Sequence, residues 1–450
     1  VSPSASQRPA AAVTALVPEW VVPIVPEGEV LSGHAVVLSA DQIIAVMPVE
    51  ALSERYPEAT IQRLPGRALM PGLVNAHAHS AMALLRGLAD DLPLMQWLNN
   101  HIWPSEQQWV GPEFVRDGSE LAIAEMLLGG TTCFNDNYFF PDVTAEVAQR
   151  VGMRAVVGLP IISVPTAWAS TEDEYFERGL AVREECLAHP LVSVAFAPHA
   201  PYTVTDASFE RMRDLSGALD LRIHLHLLET ADEVAMSQKE HGCAPLERLN
   251  RLGVLNEHLL AVHMTQLSDA DIAKVAGSGC HVLHCPASNL KLASGFCRVH
   301  DLDEAGVNVA VGTDGAASNN SLSMWQELWL AALVAKGHSG NPEAVPAARI
   351  LSMGTIHGAR ALGLDAQIGS IEVGKQADLI AVDLQCLQAQ PVHSVISQLA
   401  YATGRQQVSD VWVAGQPVVQ AGQLTTLNYD QVCAHGLRWA ERLVDNVHHT

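Results

Sequence analysis

Two histidines one residue apart, His77 and His79, end the apolar run ALMPGLVNAHAH. If that run is a strand, residues two apart share a face, and both imidazoles address one spot. Later apolar runs end in a similar way. LRIHLHLLET carries His224, His226 and Glu229, LLAVHMT carries His263, VSVAFAPHA carries His199, and NVAVGTDG carries Asp314. A single strand histidine is most often an ordinary core residue, and a strand-end aspartate most often caps a turn. His281, His284, His300 and His357 read that way. A histidine pair, further histidines and an aspartate, each closing a different strand, are hard to obtain from packing alone. Neutral imidazoles with a carboxylate suit Zn²⁺ or a similar borderline ion, so the pattern predicts a catalytic metal site. His224 and His226 share a face, and periodicity leaves open which of them is the ligand.

Such residues act together only if a fold gathers the strand ends. Short apolar segments recur at 68–79, 130–136, 153–160, 192–200, 221–230, 259–265, 281–286 and 308–315. Helical stretches such as PEFVRDGSELAIAEMLLGG and SDADIAKVAGSG separate them. Strands alternating with helices over about 250 residues predict a (β/α)8 barrel of the α/β class, here 68–365. The polar residues then lie at the C-terminal strand ends, where barrel sites assemble. An open doubly wound sheet is the alternative, but no GxGxxG follows an early strand. Residues 10–67 and 366–425 have another texture, with short β-branched runs punctuated by Pro and Gly. They predict a small composite β-sandwich built from both N- and C-terminal segments, with AGQP as a hairpin turn. Residues 426–450 are expected to form a C-terminal helical segment, and the first residues, rich in Ser, Pro and Ala, a loose tail.

Composition excludes several functions. Of 450 residues, 26 are Lys or Arg and 49 Asp or Glu, a net charge of −23, and 48% are hydrophobic. A chain this apolar can offset its ordering entropy, which excludes extended disorder. It has no basic face for nucleic acid and would be repelled by an anionic membrane. The eight cysteines contain no CxxC and read as reduced thiols. No apolar run approaches the ~18 residues of a membrane span, and no signal-like start is evident; a cytoplasmic protein is expected. No lysine precedes Lys239, so a carboxylated lysine on the fourth strand cannot bridge two metals and the site is predicted to be mononuclear. The H-x-E…P-C-x-x-C signature of cytidine-type zinc deaminases is absent.

With these residues in view, the chain resembles the amidohydrolase superfamily across the barrel and both flanking β segments. The run PGLVNAHAHSAMALLRGLADDLPLMQWLNNHIWPSE is similar to the 5′-methylthioadenosine/S-adenosylhomocysteine deaminase branch, as are HCPASNLKLASG, VGTDGAASNN, HGARALG and GSIEVGKQADL. The resemblance implies one divalent metal ion per subunit, Zn²⁺ first and Fe²⁺ or another ion as alternatives, held by His77, His79, His226 and Asp314. The family's H-x-x-E spacing selects His226 together with Glu229. Glu106, in HIWPSE, matches an acid that bonds ribose hydroxyls, although by itself it reads as a solvated loop carboxylate. His199, in APHAPY, matches a substrate contact. Trp97 and Trp103 either wall the pocket or belong to the core.

The implied reaction is hydrolytic deamination of an adenine nucleoside at carbon 6, giving the inosine analogue and ammonia. Asp314 accepts the proton of water, His263 orients the attacking oxygen, and Glu229 protonates the ring nitrogen. Glu229 and Asp314 thus contact substrate as well. The partners implied are a small nucleoside and further copies of the chain, as a dimer or tetramer. Family members that accept S-adenosylhomocysteine need arginines after the third strand, for a bidentate grip on a carboxylate. From Gly158 to Glu177 there is no Arg or Lys. Methylthioadenosine is therefore expected first, adenosine second, and S-adenosylhomocysteine last. Two rivals remain: an amidohydrolase for another ring (guanine, another purine, a pterin or a chlorinated triazine), and a non-catalytic metal-binding barrel lacking a ligand or acid.

Overall fold

The apolar runs that end in histidine and aspartate are neighbours in one parallel sheet. In chain order its strands are Leu73–His79, Thr131–Asp136, Arg154–Ile161, Val192–Pro198, Ile223–Leu227, Leu259–His263 and His281–His284, followed by Val309–Val311 and Asp314–Gly315. The last two are halves of one interrupted strand. Val309–Val311 pairs with the seventh strand, and Asp314–Gly315 pairs with the first at Ala78 and His79. The sheet therefore closes on itself as a (β/α)8 barrel. Closure presses Gly312 against the first strand: a Cβ at 312 would lie 2.6 Å from the backbone nitrogen of His77, so only glycine fits. Val74, Cys133, Val156, Ala195, Leu260, Leu283 and Ala310, from different strands, form one buried cluster with Ala359 and Ile368. Burial on both faces is why these strands read as almost continuous apolar runs. This computed structural model describes residues 12–447; the tail expected at the N-terminus lies outside them.

One boundary differs from the sequence reading. Residues 68–71, expected to open the first barrel strand, end the strand Thr60–Pro71 of a second, mixed sheet. The chain changes sheets at Gly72, where a Cβ would lie 2.1 Å from Thr132 Oγ1. The Gly72 N–H bonds the carbonyl of Asp378 and the next N–H, of Leu73, bonds that of Gly130. An apolar alternation running through the crossing hides it from periodicity.

The second sheet draws strands from both ends of the described chain. Val13–Val21, His34–Ser39, Gln42–Pro48 and Thr60–Pro71 join Leu379–Asp383, Val408–Val413, Gln416–Gln420 and Gln423–Leu424. The two sets meet where Leu379–Asp383 pairs antiparallel with Arg67–Pro71. The AGQP turn lies between Val408–Val413 and Gln416–Gln420, with Ala414 at φ 46° and Gly415 at φ 73°. The helix Tyr429–Val447 returns to the barrel helix Pro112–Leu128, where the Trp439 Nε1–H donates to Asp117 Oδ2 at 2.8 Å. Among the described residues no helix is long and apolar enough to cross a membrane. All the cysteines are unpaired, with only Cys386 and Cys433 less than fully buried.

The two sheets are tied by a buried ion pair. Arg154, which opens the third barrel strand, donates from Nε to Asp378 Oδ2 at 2.9 Å and from Nη2 to Oδ1 at 3.0 Å. Asp378 Oδ1 also accepts the Ala414 N–H at 2.8 Å. Their side chains are 3% and 1% exposed, so removing one partner strands a charge away from water. Arg154→Ala is expected to cost about 3–5 kcal/mol, read as a lower urea or thermal midpoint. An unchanged midpoint would show that the pair does not bind the sheets together.

Candidate active site

The first strand brings His77 and His79 to the rim of the barrel, and the break in the last strand brings Asp314 opposite them. His77 Nε2 and His79 Nε2 each lie 3.1 Å from Asp314 Oδ1. From the fifth strand, His226 Nε2 lies 3.3 Å from His79 Nε2. One donor atom from each of His77, His79, His226 and Asp314 falls within 4.8 Å of all the others. His224, on the same strand face, stands behind this group, with its Nε2 2.7 Å from His77 Nδ1.

The far side of each ring decides what the near side can do. His79 Nδ1 bonds the carbonyl of Asn137, and His226 Nδ1 bonds the carbonyl of His199 at 2.6 Å. A carbonyl only accepts, so both Nδ1 atoms carry hydrogen and Nε2 is the ring nitrogen turned to the cluster. Burial lowers the pKa of His77 to about 4, against the pull of Asp314, and lowers that of His226 well below the usual imidazole range. Burial also acts on His79, but the hydrogen bond and charge of Asp314 outweigh it and raise the pKa to about 9. Although burial alone would raise Asp314, its bonds from His77 and His79 hold it well below the usual carboxylate range. An ion held by these nitrogens would displace any proton on them, so its binding would release protons. Imidazole nitrogens with one carboxylate oxygen fit a divalent ion such as zinc.

Asp314 shows the cluster one oxygen and keeps the other tied down. Its Oδ2 accepts hydrogen bonds from Ser288 Oγ at 2.6 Å and Ser318 Oγ at 2.9 Å. Next to the cluster, His263 Nε2 lies 3.8 Å from Glu229 Oε2, and His263 Nδ1 lies 2.8 Å from Asn289 Oδ1. The amide oxygen only accepts, so His263 Nδ1 holds the hydrogen. Burial raises the Glu229 carboxyl above its ordinary pKa, although the charge of His263 opposes this. Asp314, His263 and Leu228, which precedes Glu229, all have left-handed backbones, at φ 60°, 73° and 52°. Non-glycine residues rarely take up this conformation, and at a site each such residue costs of order 1–3 kcal/mol. Here it turns the chain off the strand direction where side chains must face the rim.

The other expected contacts come from outside the strands. Glu106 is carried by the helix Trp103–Trp109, part of the long excursion after the first strand. Its Oε1 accepts the Tyr138 O–H at 2.8 Å, and burial raises its pKa to about 7. His199 Nδ1 lies 3.2 Å from Thr203 Oγ1, and burial lowers its pKa to about 4. Trp97 is buried in an apolar cluster that includes Met82, Leu85 and Tyr138, and its N–H donates to the Ala89 carbonyl at 3.0 Å. Trp103 packs on the same cluster. Both rings therefore build the excursion that carries Glu106. Sequence reasoning missed Tyr138, Asn289, Ser288 and Ser318. The last three lie within HCPASNLKLASG and VGTDGAASNN, where their hydroxyl and amide groups among apolar neighbours were the available signal.

A closed barrel with a histidine–aspartate group at its rim and a second sheet drawn from both chain ends defines a metal-dependent hydrolase fold. The chain belongs to the amidohydrolase family, whose model matches residues 68–418. It is 50% identical over 94% of its length to a 5-methylthioadenosine/S-adenosylhomocysteine deaminase of Teredinibacter turnerae, covering 96% of that protein. A solved adenosine deaminase from Xanthomonas campestris with bound zinc superposes with a TM-score of 0.94 at 52% identity, covering 97% of this chain and 100% of that one. Atrazine chlorohydrolase from Arthrobacter aurescens shares the fold, with a TM-score of 0.88 at 22% identity over 95% of this chain and 99% of that one.

The donor geometry generates a prediction that needs no substrate. Zinc added to chelator-stripped protein is expected to raise its melting temperature, because an ion that binds only the folded state stabilises it. His226→Ala is expected to abolish most of that shift. A full shift in this variant would mean that the ion binds elsewhere.

Proposed function

We propose that the chain is a zinc-dependent deaminase of adenine nucleosides, with His77, His79, His226 and Asp314 as metal ligands and Glu229, His263 and Asp314 as catalytic residues. The observation that carries this reading is the buried Glu229 carboxyl, 3.8 Å from His263 and beside the four-donor group. The match to named deaminases along nearly the whole chain supports it. When bound, the metal makes a water molecule acidic enough to supply hydroxide near pH 7.

The chain's own groups then divide the work. Asp314 takes the proton that water gives up, using the oxygen not held by Ser288 and Ser318. Glu229, kept toward its protonated form by burial, delivers a proton to the ring nitrogen beside carbon 6. His263, fixed by Asn289, directs Nε2 at the oxygen being added and stabilises the charge that develops there. The amino group takes the proton that Asp314 received and leaves as ammonia, while the remaining hydrogen of the added oxygen returns to Glu229 as the carbonyl forms. Glu106, steadied by Tyr138, accepts hydrogen bonds from the ribose hydroxyls, and His199 contacts the substrate. Trp97 acts at one remove, by packing the segment that carries Glu106. The same reading treats the barrel from Gly72 to residue 365 as the catalytic unit, with the described residues of the flanking β segments and the C-terminal helix as its supports. It also makes the protein a cytoplasmic homo-oligomer, a dimer or tetramer, which light scattering in solution would check.

A preference among nucleosides follows from charge. The stretch after the third barrel strand has no Arg or Lys from Gly158 to Glu177. The next cation, Arg178, is paired with Glu174 at 2.7 Å. A homocysteine carboxylate would meet no free guanidinium there, whereas a methylthio group needs none.

Glu229→Gln is expected to lower kcat by about 10²–10⁴ while zinc content stays at the wild-type level; full activity would remove Glu229 from the mechanism. Because the acid must be protonated, kcat should fall as pH rises through the raised pKa of Glu229. Across a nucleoside panel scored by ammonia release, kcat/KM should run methylthioadenosine, adenosine, S-adenosylhomocysteine. Equal values for the first and last would defeat the charge argument. If Glu106→Ala leaves KM unchanged, a free base or triazine becomes the better substrate class.

A further inference from the structure

Glu233 is 4% exposed, and its pKa is raised to about 7 by burial, against the backbone bonds it accepts. It sits at the third position of the helix Ala231–His241, whose N-cap is Thr230. In an ordinary capping box, a glutamate at this position accepts the N–H of the N-cap residue itself. Here it reaches further back. Oε1 accepts the Leu228 N–H at 2.9 Å, and Oε2 accepts the Glu229 N–H at 2.8 Å. Thr230 does its own capping, with Oγ1 accepting the Glu233 N–H at 3.3 Å.

The peptide so gripped is held from the other side as well. Thr265 Oγ1 donates to the Glu229 carbonyl at 2.6 Å, and the Thr265 N–H donates to the Leu228 carbonyl at 2.9 Å. Leu228 stands at φ 52°, a conformation that a leucine keeps only when its surroundings impose it. The buried carboxyl gives the left-handed turn an acceptor for each of its two N–H groups. Glu229 leaves the chain at that turn.

We propose that Glu233 is a positioning residue for Glu229: its two oxygens lock the Leu228 and Glu229 N–H groups and so aim the proton-donating side chain. The proposal rests on Glu229 as the acid. A misplacement near 1 Å of a reacting group can cost about 100-fold in rate. Glu233→Gln keeps one acceptor and turns the other end into a donor facing an N–H. It is expected to lower kcat about 10–100-fold with KM and zinc content unchanged. Thr265→Val, which loosens the same peptide from the opposite side, should show the same kcat-only loss, and it serves if the Glu233 variant does not fold. Thr230→Ala weakens the helix start but spares the grip, so its melting temperature should fall while kcat stays within about two-fold of wild type.

The proposal is overturned if Glu233→Gln leaves kcat intact, if its loss appears in KM or zinc content, or if Thr230→Ala loses as much kcat. Glu229→Gln run in parallel separates the two claims. Full activity in that variant defeats the functional reading. An inactive Glu229→Gln beside a fully active Glu233→Gln defeats only the positioning role.

Discussion

An imidazole taken out of water gives up its proton, because burial penalises the charged form. That constraint underlies the rim of this barrel. His77, His199 and His226 are driven below neutrality by burial, and only His79, tied to Asp314, is driven above it. Neutral rings bring lone pairs, and lone pairs without protons have little reason to gather unless something cationic is to sit among them. The backbone carbonyls of Asn137 and His199 choose which nitrogen is left free. A histidine cluster in water would titrate and drift; here the rings are largely buried, and backbone carbonyls fix the far sides of His79 and His226.

The same burial makes the carboxyls unequal. Asp314 is bonded by His77 and His79 and held well below the usual carboxylate range, whereas burial raises Glu229 toward its protonated form against the charge of His263. Two carboxyls held apart in acidity by their environments make an acid and a base at one pH. Strand geometry alone would not aim them. Left-handed residues at the strand ends do so, and Thr265, Ser288 and Ser318 hold the result in place.

Much of this was legible in the sequence, and the reason is periodicity. Strands that end in HAH and HLHL announce which residues share a face, and the recurrence of such ends announces a barrel. Periodicity is blind to depth along a face, so it could not separate His226, in the donor group, from His224, one step behind His77. It is also blind to a change of sheet within an unbroken apolar run, which is why the crossing at Gly72 went unread. Glu106 looks like a solvated loop acid until the long excursion folds over the rim and Tyr138 meets it. In each of these cases the meaning of a side chain depends on a partner distant in sequence or on a bond to the backbone.

The central claim is a substitution at one carbon: oxygen from water replaces the exocyclic amino nitrogen on carbon 6 of the adenine ring. The most direct test is to incubate the zinc-loaded protein with 5′-methylthioadenosine in heavy-oxygen water and analyse the nucleoside by mass spectrometry. The account predicts an intact methylthioinosine with a single heavy oxygen on its base, matched by an equal amount of ammonia. A nucleoside returned unlabelled, with no ammonia released, would contradict it.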